Sequence, residues 1–599
     1  MSAEPDLARA TELLRRGALA EAEQGLRSFL AGNPRHAEAT HLLALARKQA
    51  GDLPAALDLM RASIAVAPRR PEFHANLGNL LRGLGRGAEA ESAYRNSLTL
   101  DPGFRLARLG LARLLTDLSR AEEAEAEARE LLGRDRRDAE AWAALAAALA
   151  ARQLDTDAEA AYREALQLRP AYGVARHNLG SLLARQQRAE EAIVELDRAL
   201  ADGARGREIH FNRGRALFDL YRFDEAEAAL ESAVTAAPLD TESHQFLAKL
   251  RYMRGEPAFV RSLETAIGQF PQQLALRLLL ADLLRRAGQA ERSERELLAL
   301  AALGQDGPGV WSALGTVLQD QGRFVEAEHY ARRAIDAKPE DPGLIENHVV
   351  LLLALGRAAE TLPLITTAQA RYPLDQRWLA HQAIAARLLG QPDYERMYDY
   401  PRFVRPFDLP VPPGWSTLQS FHADLLPLLA SRHRLAAHPL DQSLRGGTQT
   451  ARSLLADPDP VLQALLASLR AAIAEYQGAI GYDAAHPYLA RNRSEARMAG
   501  CWSVRLQRGG YHVNHIHPAG WISSAYYADV PTEVLDTRQR SGWIKFGEPN
   551  VATPGADPAH FVQPRAGRLV LFPSYMWHGT VAIQGDEPRM TVAFDAVPA

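Results

Sequence analysis

Residues 68–102 read PRRPEFHANLGNLLRGLGRGAEAESAYRNSLTLDP. Phe73, Leu77 and Leu81 recur at helical spacing, and so do Ala90, Tyr94 and Leu98. Apolar residues three and four apart mark one face of a helix, so this stretch predicts two amphipathic helices. Small residues at Gly78 and Ala90 let the pair approach closely. Gly85 lies between the two, where a helix end favours the left-handed conformation. Pro102 stops the second helix.

The same punctuation recurs along the chain. Prolines stand at 34, 68, 102, 170, 238, 271, 339 and 373, in steps of 34 or twice 34 with a single 33. Gly17, Gly51 and Gly85 keep the same step, as do Gly288, Gly322, Gly356 and Gly390. Two series with one period identify an internal repeat. Further units show Trp142, Leu145, Ala146, Ala158, Tyr162 and Pro170, then Trp311, Leu314, Gly315, Ala327, Ala334 and Pro339. Arg136 and Ala204 occupy places where the pattern expects proline. The Trp and Tyr residues in these units read as core. Repeats of this kind contact mainly their neighbours, so the array is expected to fold without the rest of the chain.

Composition narrows the function. Hydrophobic residues make up 47% of 599 and charged residues 24%, values of an ordinary folded protein. A net charge of −4 lacks the basic excess of a general nucleic-acid or membrane-surface binder. Cys501 is the one cysteine, which excludes an intrachain disulfide and a cysteine zinc cage. The N-terminal residues show no basic segment followed by an apolar core, and the most apolar runs, such as Val349–Leu355, are too short to span a bilayer. The expectation is a soluble cytoplasmic protein with no nucleic-acid or membrane partner.

The repeat period ends after Gly390, and a Pro- and aromatic-rich stretch, Tyr400–Trp415, follows. The expected organisation is a repeat array over 1–392, a linker and helical part over 393–496, and a β-rich core over 497–599. Helices are expected at Thr417–Arg432 and Asp459–Ile480. Between them His438–Thr450 carries two glycines but lacks the G-K-[ST] ending of a phosphate loop. Met498–Leu506, Ile522–Ala528, Trp543–Phe546, Arg568–Phe572 and Met590–Phe594 read as short strands of a small antiparallel barrel or jelly roll.

Three histidines carry the chemistry. In GGYHVNHIHPAGW, residues 509–521, an extended strand would project His515 and His517 together and His512 away. His578 follows about 60 residues later, in LFPSYMWHGT, and Arg589 and Thr591 come after it in RMTVAFD. Imidazole is the commonest metal ligand near neutral pH. H-x-H plus a distant His offers three ligands on one face of a metal.

The repeat resembles the tetratricopeptide repeat over about residues 4–395, roughly eleven units, which implies a superhelix whose concave surface binds a protein or peptide. The runs GGYHVNHIHPAGWISSAYYADVP, GWIKFGEP, GRLVLFPSYMWHGT and RMTVAFDAVP resemble the iron(II)/2-oxoglutarate-dependent oxygenases, in particular bacterial ones fused to tetratricopeptide arrays. SLRGGTQT is assigned to the same domain. The implied fold class is multidomain: an all-α tetratricopeptide superhelix, then an α+β domain with a double-stranded β-helix (jelly-roll, cupin-like) core. The resemblance implies iron(II) held by His515 and His578, and 2-oxoglutarate held by Arg589 with Thr591 beside it. It also implies hydroxylation of a substrate C–H bond, coupled to conversion of 2-oxoglutarate to succinate and CO₂. Tyr526, Tyr527 and Trp577 are candidate pocket residues.

The family pattern has a carboxylate where this chain has His517. Either His517 is the third ligand, or a carboxylate elsewhere completes the set, with Asp529 and Glu548 as candidates, or two histidines suffice. A three-His set also resembles a catalytic zinc site. The competing readings are therefore a zinc hydrolase and a non-catalytic adaptor with a metal-binding, cupin-like end. Arg589 speaks for a dicarboxylate cosubstrate, unless it merely pairs with Asp586 or Glu587 at the surface.

Overall fold

The structure, a computed structural model, describes residues 4–598. The left-handed turn of the repeat recurs even where glycine is absent. Gly17, Gly51 and Gly85 take positive φ, and one period further on Ser119, Gln153, Gln187 and Tyr221 do the same, at 60–65°. Gly255, Gly288, Gly322, Gly356 and Gly390 continue the series. A side chain in this conformation costs roughly 1 kcal/mol, so packing of the helix pairs sets the turn, and local preference yields to it.

The chain divides into two compact units, Met1–Arg205 and Gly206–Ala599. In the first, helices run as successive antiparallel pairs, from Glu4–Arg15 with Leu19–Gly32 to Gly173–Arg185 with Ala189–Ala201. Tyr94 shows why the pattern needs small residues. Its ring is wedged between two glycines, where an added Cβ on Gly78 or Gly110 would lie 2.7 or 2.4 Å from it.

The second unit continues with five more pairs: Arg207–Asp219 with Phe223–Ala236, Thr241–Met253 with Arg261–Gln269, Leu274–Arg286 with Ala290–Ala302, Pro308–Asp320 with Phe324–Ala337, and Pro342–Ala354 with Ala358–Arg371. Gln376–Leu388 follows as a last repeat helix. The short helices Asp393–Met397 and Tyr400–Phe403 then lead into the β-rich part.

Nine strands follow among the described residues: β1 Arg405–Asp408, β2 Leu444–Gln449, β3 Ala496–His512, β4 Ile522–Asp529, β5 Ile544–Phe546, β6 His560–Val562, β7 Arg568–Pro573, β8 His578–Thr580 and β9 Arg589–Pro598. They form a six-stranded sheet, β1-β7-β4-β9-β3-β2, and a three-stranded sheet, β6-β5-β8. All pairings are antiparallel. This is the two-sheet jelly-roll architecture that the sequence implied. The expected helices appear as Leu418–Arg432, with Thr417 and Ser420 forming a capping box, and Pro460–Ile480, capped by Asp459. Their apolar faces, with Phe421, Leu425, Leu466 and Ile473, share a core with Tyr526, Leu569 and Val592 of the large sheet.

Four strands fall outside the expected ranges: β1, β2 and the short strands β6 and β8 of the small sheet. β1 comes from the Pro-rich stretch and holds an edge, the position that tolerates Pro406. β2 is the glycine-bearing SLRGGTQT segment.

The last repeats pack against the β-rich part, which serves as their cap. Ile345, Val349, Trp378 and Ile384 belong to the same buried cluster as Trp521, Tyr527 and Phe572. Gln376 N–H donates to Pro518 O at 3.2 Å, and Arg387 donates to Gly547 O and Asp557 O. A solenoid must cover the apolar face of its terminal helix, and here the β-rich part covers it. No described helix is long and apolar enough to cross a membrane.

Candidate metal centre

β3 ends at His512, and the chain then runs irregularly to Gly520. His515 forms an isolated bridge with the first residue of β8: His515 N–H donates to His578 O at 2.8 Å, and His578 N–H to His515 O at 3.1 Å. His517 N–H donates to Ser574 O at 3.0 Å. These bonds tie the H-x-H segment against the loop before His578. The result is a cluster in which one nitrogen each of His515, His517 and His578 lies within 4.8 Å of the others.

The tautomers follow from the partners. His515 Nδ1 faces Val513 O at 2.8 Å and His578 Nδ1 faces Met576 O at 2.9 Å. A carbonyl only accepts, so both Nδ1 atoms carry the proton and both Nε2 atoms keep a lone pair. His517 Nδ1 faces Asp595 Oδ2 at 2.7 Å, which leaves its Nε2 free in the same way. Burial, reinforced by His517, pushes His515 down to about 3. Burial, with His515 and His517 adding to it, holds His578 well below its usual value. These two rings are therefore neutral at pH 7, as metal ligation requires.

Asp595 is the carboxylate missing from the H-x-H motif, placed one layer out. Burial alone would raise it; the bonds from His517 and Ser523 outweigh burial and hold it below the usual carboxylate range. Ser523 Oγ donates to Asp595 Oδ1 at 2.7 Å, and the two residues face each other across β4 and β9. A carboxylate behind a ligating imidazole orients the ring and raises its basicity. Asp529, by contrast, is exposed, and Glu548 pairs with Lys545.

Arg589 opens β9 and is 3% exposed. It makes no surface ion pair: Asp586 pairs with Arg508, and Glu587 accepts from Thr532. Its Nη1 donates to Gly542 O at 2.5 Å, its Nε has no partner, and its Cζ lies 5.5 Å from the centre of the Tyr527 ring. The Tyr527 hydroxyl is also buried without a partner. A buried guanidinium with no counter-ion beside an unsatisfied hydroxyl is costly unless an anion meets both. Thr591, two residues on, is buried and lines the same cleft, its hydroxyl 3.4 Å from Val504 O.

The cleft holds about 980 Å³ and contains the histidines, Arg589, Thr591, Tyr527 and Trp577. Tyr526 is on the other side of the sheet, bonded to His422 at 2.7 Å. Both tyrosines are buried, Tyr526 under helix Leu418–Arg432 on the face opposite the cleft and Tyr527 within the cleft. His512 also departs from expectation. The chain leaves extended geometry after it, and its ring stays in the cleft, 5.9 Å from that of His515. Ser443 Oγ bonds both, at 2.9 Å to His512 Nδ1 and 3.2 Å to His515 Nε2. Sequence reasoning missed Ser443, His512 and Asp595; a Ser–Asp pair facing across two strands leaves no spacing signal. It also missed that the repeat helices wall the cleft through Arg285, Asp320, Phe324 and Glu346.

Residues 500–595 match the family model described as "Putative 2OG-Fe(II) oxygenase". Tetratricopeptide repeat models match residues 7–71, 41–103, 177–241 and 278–342, and a further one residues 81–149. No curated protein matches the chain. Solved structures similar to it include yeast Tom70, with 13% identity over 65% of this chain and 96% of that one and a TM-score of 0.37. A tetratricopeptide repeat protein from Parabacteroides merdae shows 16% identity over 39% of this chain and 93% of that one, with a TM-score of 0.35. A thermophilic TPR protein of Thermus thermophilus shows 23% identity over 31% of this chain and 100% of that one, with a TM-score of 0.29. The chain thus joins tetratricopeptide repeats to a C-terminal domain of the 2OG-Fe(II) oxygenase type.

Proposed function

We propose that this protein is an iron(II)- and 2-oxoglutarate-dependent hydroxylase whose repeat array recruits a peptide or protein segment as substrate. The single observation that carries the reading is Arg589, a buried guanidinium without a carboxylate, beside the unsatisfied Tyr527 hydroxyl and in one cleft with three metal-ready imidazoles.

His515, His517 and His578 would hold the metal through Nε2. Three neutral nitrogens bring no charge of their own, unlike a 2-His-1-carboxylate set. Asp595 offsets this through its bond to His517, which makes that ring a stronger donor. Arg589 and Thr591 would hold the distal carboxylate of 2-oxoglutarate, with the Tyr527 hydroxyl donating to it. Iron(II) with 2-oxoglutarate and oxygen supplies the oxidising power for hydroxylation of a C–H bond. The chain itself orients the cosubstrate, shields the metal among Phe572, Trp577 and Ile544, and presents the substrate from the repeat side of the cleft. On the zinc-hydrolase reading, Arg589 has no role.

The test is succinate formation by the full chain, purified without oxygen and supplied with iron(II), 2-oxoglutarate and then air. Turnover of 2-oxoglutarate that depends on both iron and Arg589 supports the reading. Hydrolytic activity with zinc and no affinity for 2-oxoglutarate overturns it.

A further inference from the structure

We propose that Arg445 forms a second anion site in the metal cleft, one that takes an acidic side chain of the peptide substrate; this rests on the hydroxylase reading above.

The charges lining the cleft are unequally matched. Each lining carboxylate already has a partner: Asp320 has Arg285 at 2.8 Å, Glu346 has Arg377 at 2.7 Å, Asp441 has Lys249 at 2.8 Å, and Asp595 is bonded to His517 and Ser523 at 2.7 Å each. Of the lining guanidiniums, Arg285 and Arg286 share Asp282. That leaves Arg589 and Arg445 with no carboxylate. Arg445 Nη1 donates only to Gln442 O at 2.8 Å and Leu444 O at 2.7 Å, and its Nε and Nη2 make no bond to the protein. A half-buried guanidinium with one edge free presents the two-pronged donor set that suits a carboxylate.

The backbone aims this side chain. Arg445 faces Tyr511 across β2 and β3, but Gly447 faces Leu506, so the ladder is broken by a bulge at Gly446, whose φ is +61°. Glycine is required there. A Cβ on Gly447 would lie 2.3 Å from Arg505 O, and one on Gly510 would lie 2.4 Å from Gly446 O. Bulges beside functional sites redirect the neighbouring side chain, which gives the Gly-Gly of SLRGGTQT a role unrelated to phosphate. Ser443, two residues before Arg445 and just outside β2, bonds His515 Nε2 at 3.2 Å, which places Arg445 next to the metal-binding end of the cleft.

Arg445 also stands toward the repeats. The segment leading to β2 is fastened to helix Thr241–Met253: Ala436 and Ala437 N–H donate to Met253 O, and Leu440 is buried with Leu280 and Leu283. A segment lying along the repeat wall would therefore meet Arg445 beside the histidines, whereas Arg589 sits buried at the base of β9.

The test uses the full chain with manganese(II) and 2-oxoglutarate, without turnover. The probes are fluorescent heptapeptide libraries with a central Glu or Asp, compared with libraries carrying Gln or Asn there. The parent should prefer the acidic libraries by about tenfold, the size of one charge-assisted pair. Arg445→Gln should abolish the preference, Arg445→Lys should keep part of it, and both should bind 2-oxoglutarate like the parent. An absent preference in the parent, or one that survives in Arg445→Gln, overturns the proposal while leaving the hydroxylase reading standing. Loss of 2-oxoglutarate binding in Arg445→Gln also overturns it, by making Arg445 part of the cosubstrate site. A parent that binds no 2-oxoglutarate sinks both.

Discussion

His517 Nδ1 lies 2.7 Å from Asp595 Oδ2, and Ser523 holds the other oxygen of that carboxylate at 2.7 Å. The negative charge that a carboxylate ligand would bring to the metal is thereby moved one residue outward. Asp595→Asn should lower iron(II) affinity about 10- to 100-fold, the usual cost of losing such a partner. His517→Ala should cost more, because the ligand itself is lost. Cobalt(II) titration followed by visible absorption measures both. Equal affinity in Asp595→Asn and the parent would show that the charge of Asp595 does not reach the metal, and equal affinity in His517→Ala would show that His517 is not a ligand.

Arg589→Ala should leave metal binding nearly unchanged and weaken 2-oxoglutarate binding. A charge-assisted pair shielded from water is worth roughly 1.5–3 kcal/mol, so the loss is about ten- to a hundredfold. Arg589→Lys should recover part of it, since an ammonium keeps the charge but not the fork. Calorimetric titration of 2-oxoglutarate into the metal-loaded chain separates the two constants. His512→Ala does not serve as a neutral control, because Ser443 links that ring to His515.

Stability of the first unit should fall in mild acid. His41 is buried, stacked on Phe73 at 4.1 Å and bonded to Asn76 at 2.8 Å. Burial pushes its pKa from 6.5 down to about 4. Between those values the unfolded chain binds more protons, so stability is full above pH 6.5 and is lost as pH falls toward about 4. The loss is at most roughly 3 kcal/mol. Urea melts of a Met1–Arg205 fragment at several pH values should show this slope, and His41→Gln should flatten it.

Fragments should behave differently according to where they end. Met1–Arg205 is a compact unit and should melt cooperatively by itself. A fragment ending at Gly390 should leave Trp378, Ile384 and Val349 uncovered, because their cluster continues into Trp521 and Phe572. Amide exchange in that fragment should show weak protection over Pro342–Leu388 relative to the full chain. Full protection there would mean that the last repeats do not need the β-rich part.

The sequence by itself determined the repeat, because each helix pair is a local object. Its period, its small residues at Gly78 and Ala90 and its prolines are all written within about 34 residues. The left-handed turns at Gln153 and Tyr221 were hidden only because their residues do not advertise φ. His515, His517, His578 and Arg589 were legible for the same reason, as short motifs with functional side chains. Tertiary structure alone decided the rest. Asp595 acquires its role from a side-chain bond to His517 across 78 residues, and Tyr527 rather than Tyr526 faces the cleft because a helix covers the opposite side of β4. Arg445 is aimed by a bulge that exists only when β2 meets Gly510. These are contacts between segments far apart in the chain. No residue spacing records them, since their geometry is set by the packing of the two sheets and of the last repeats against them.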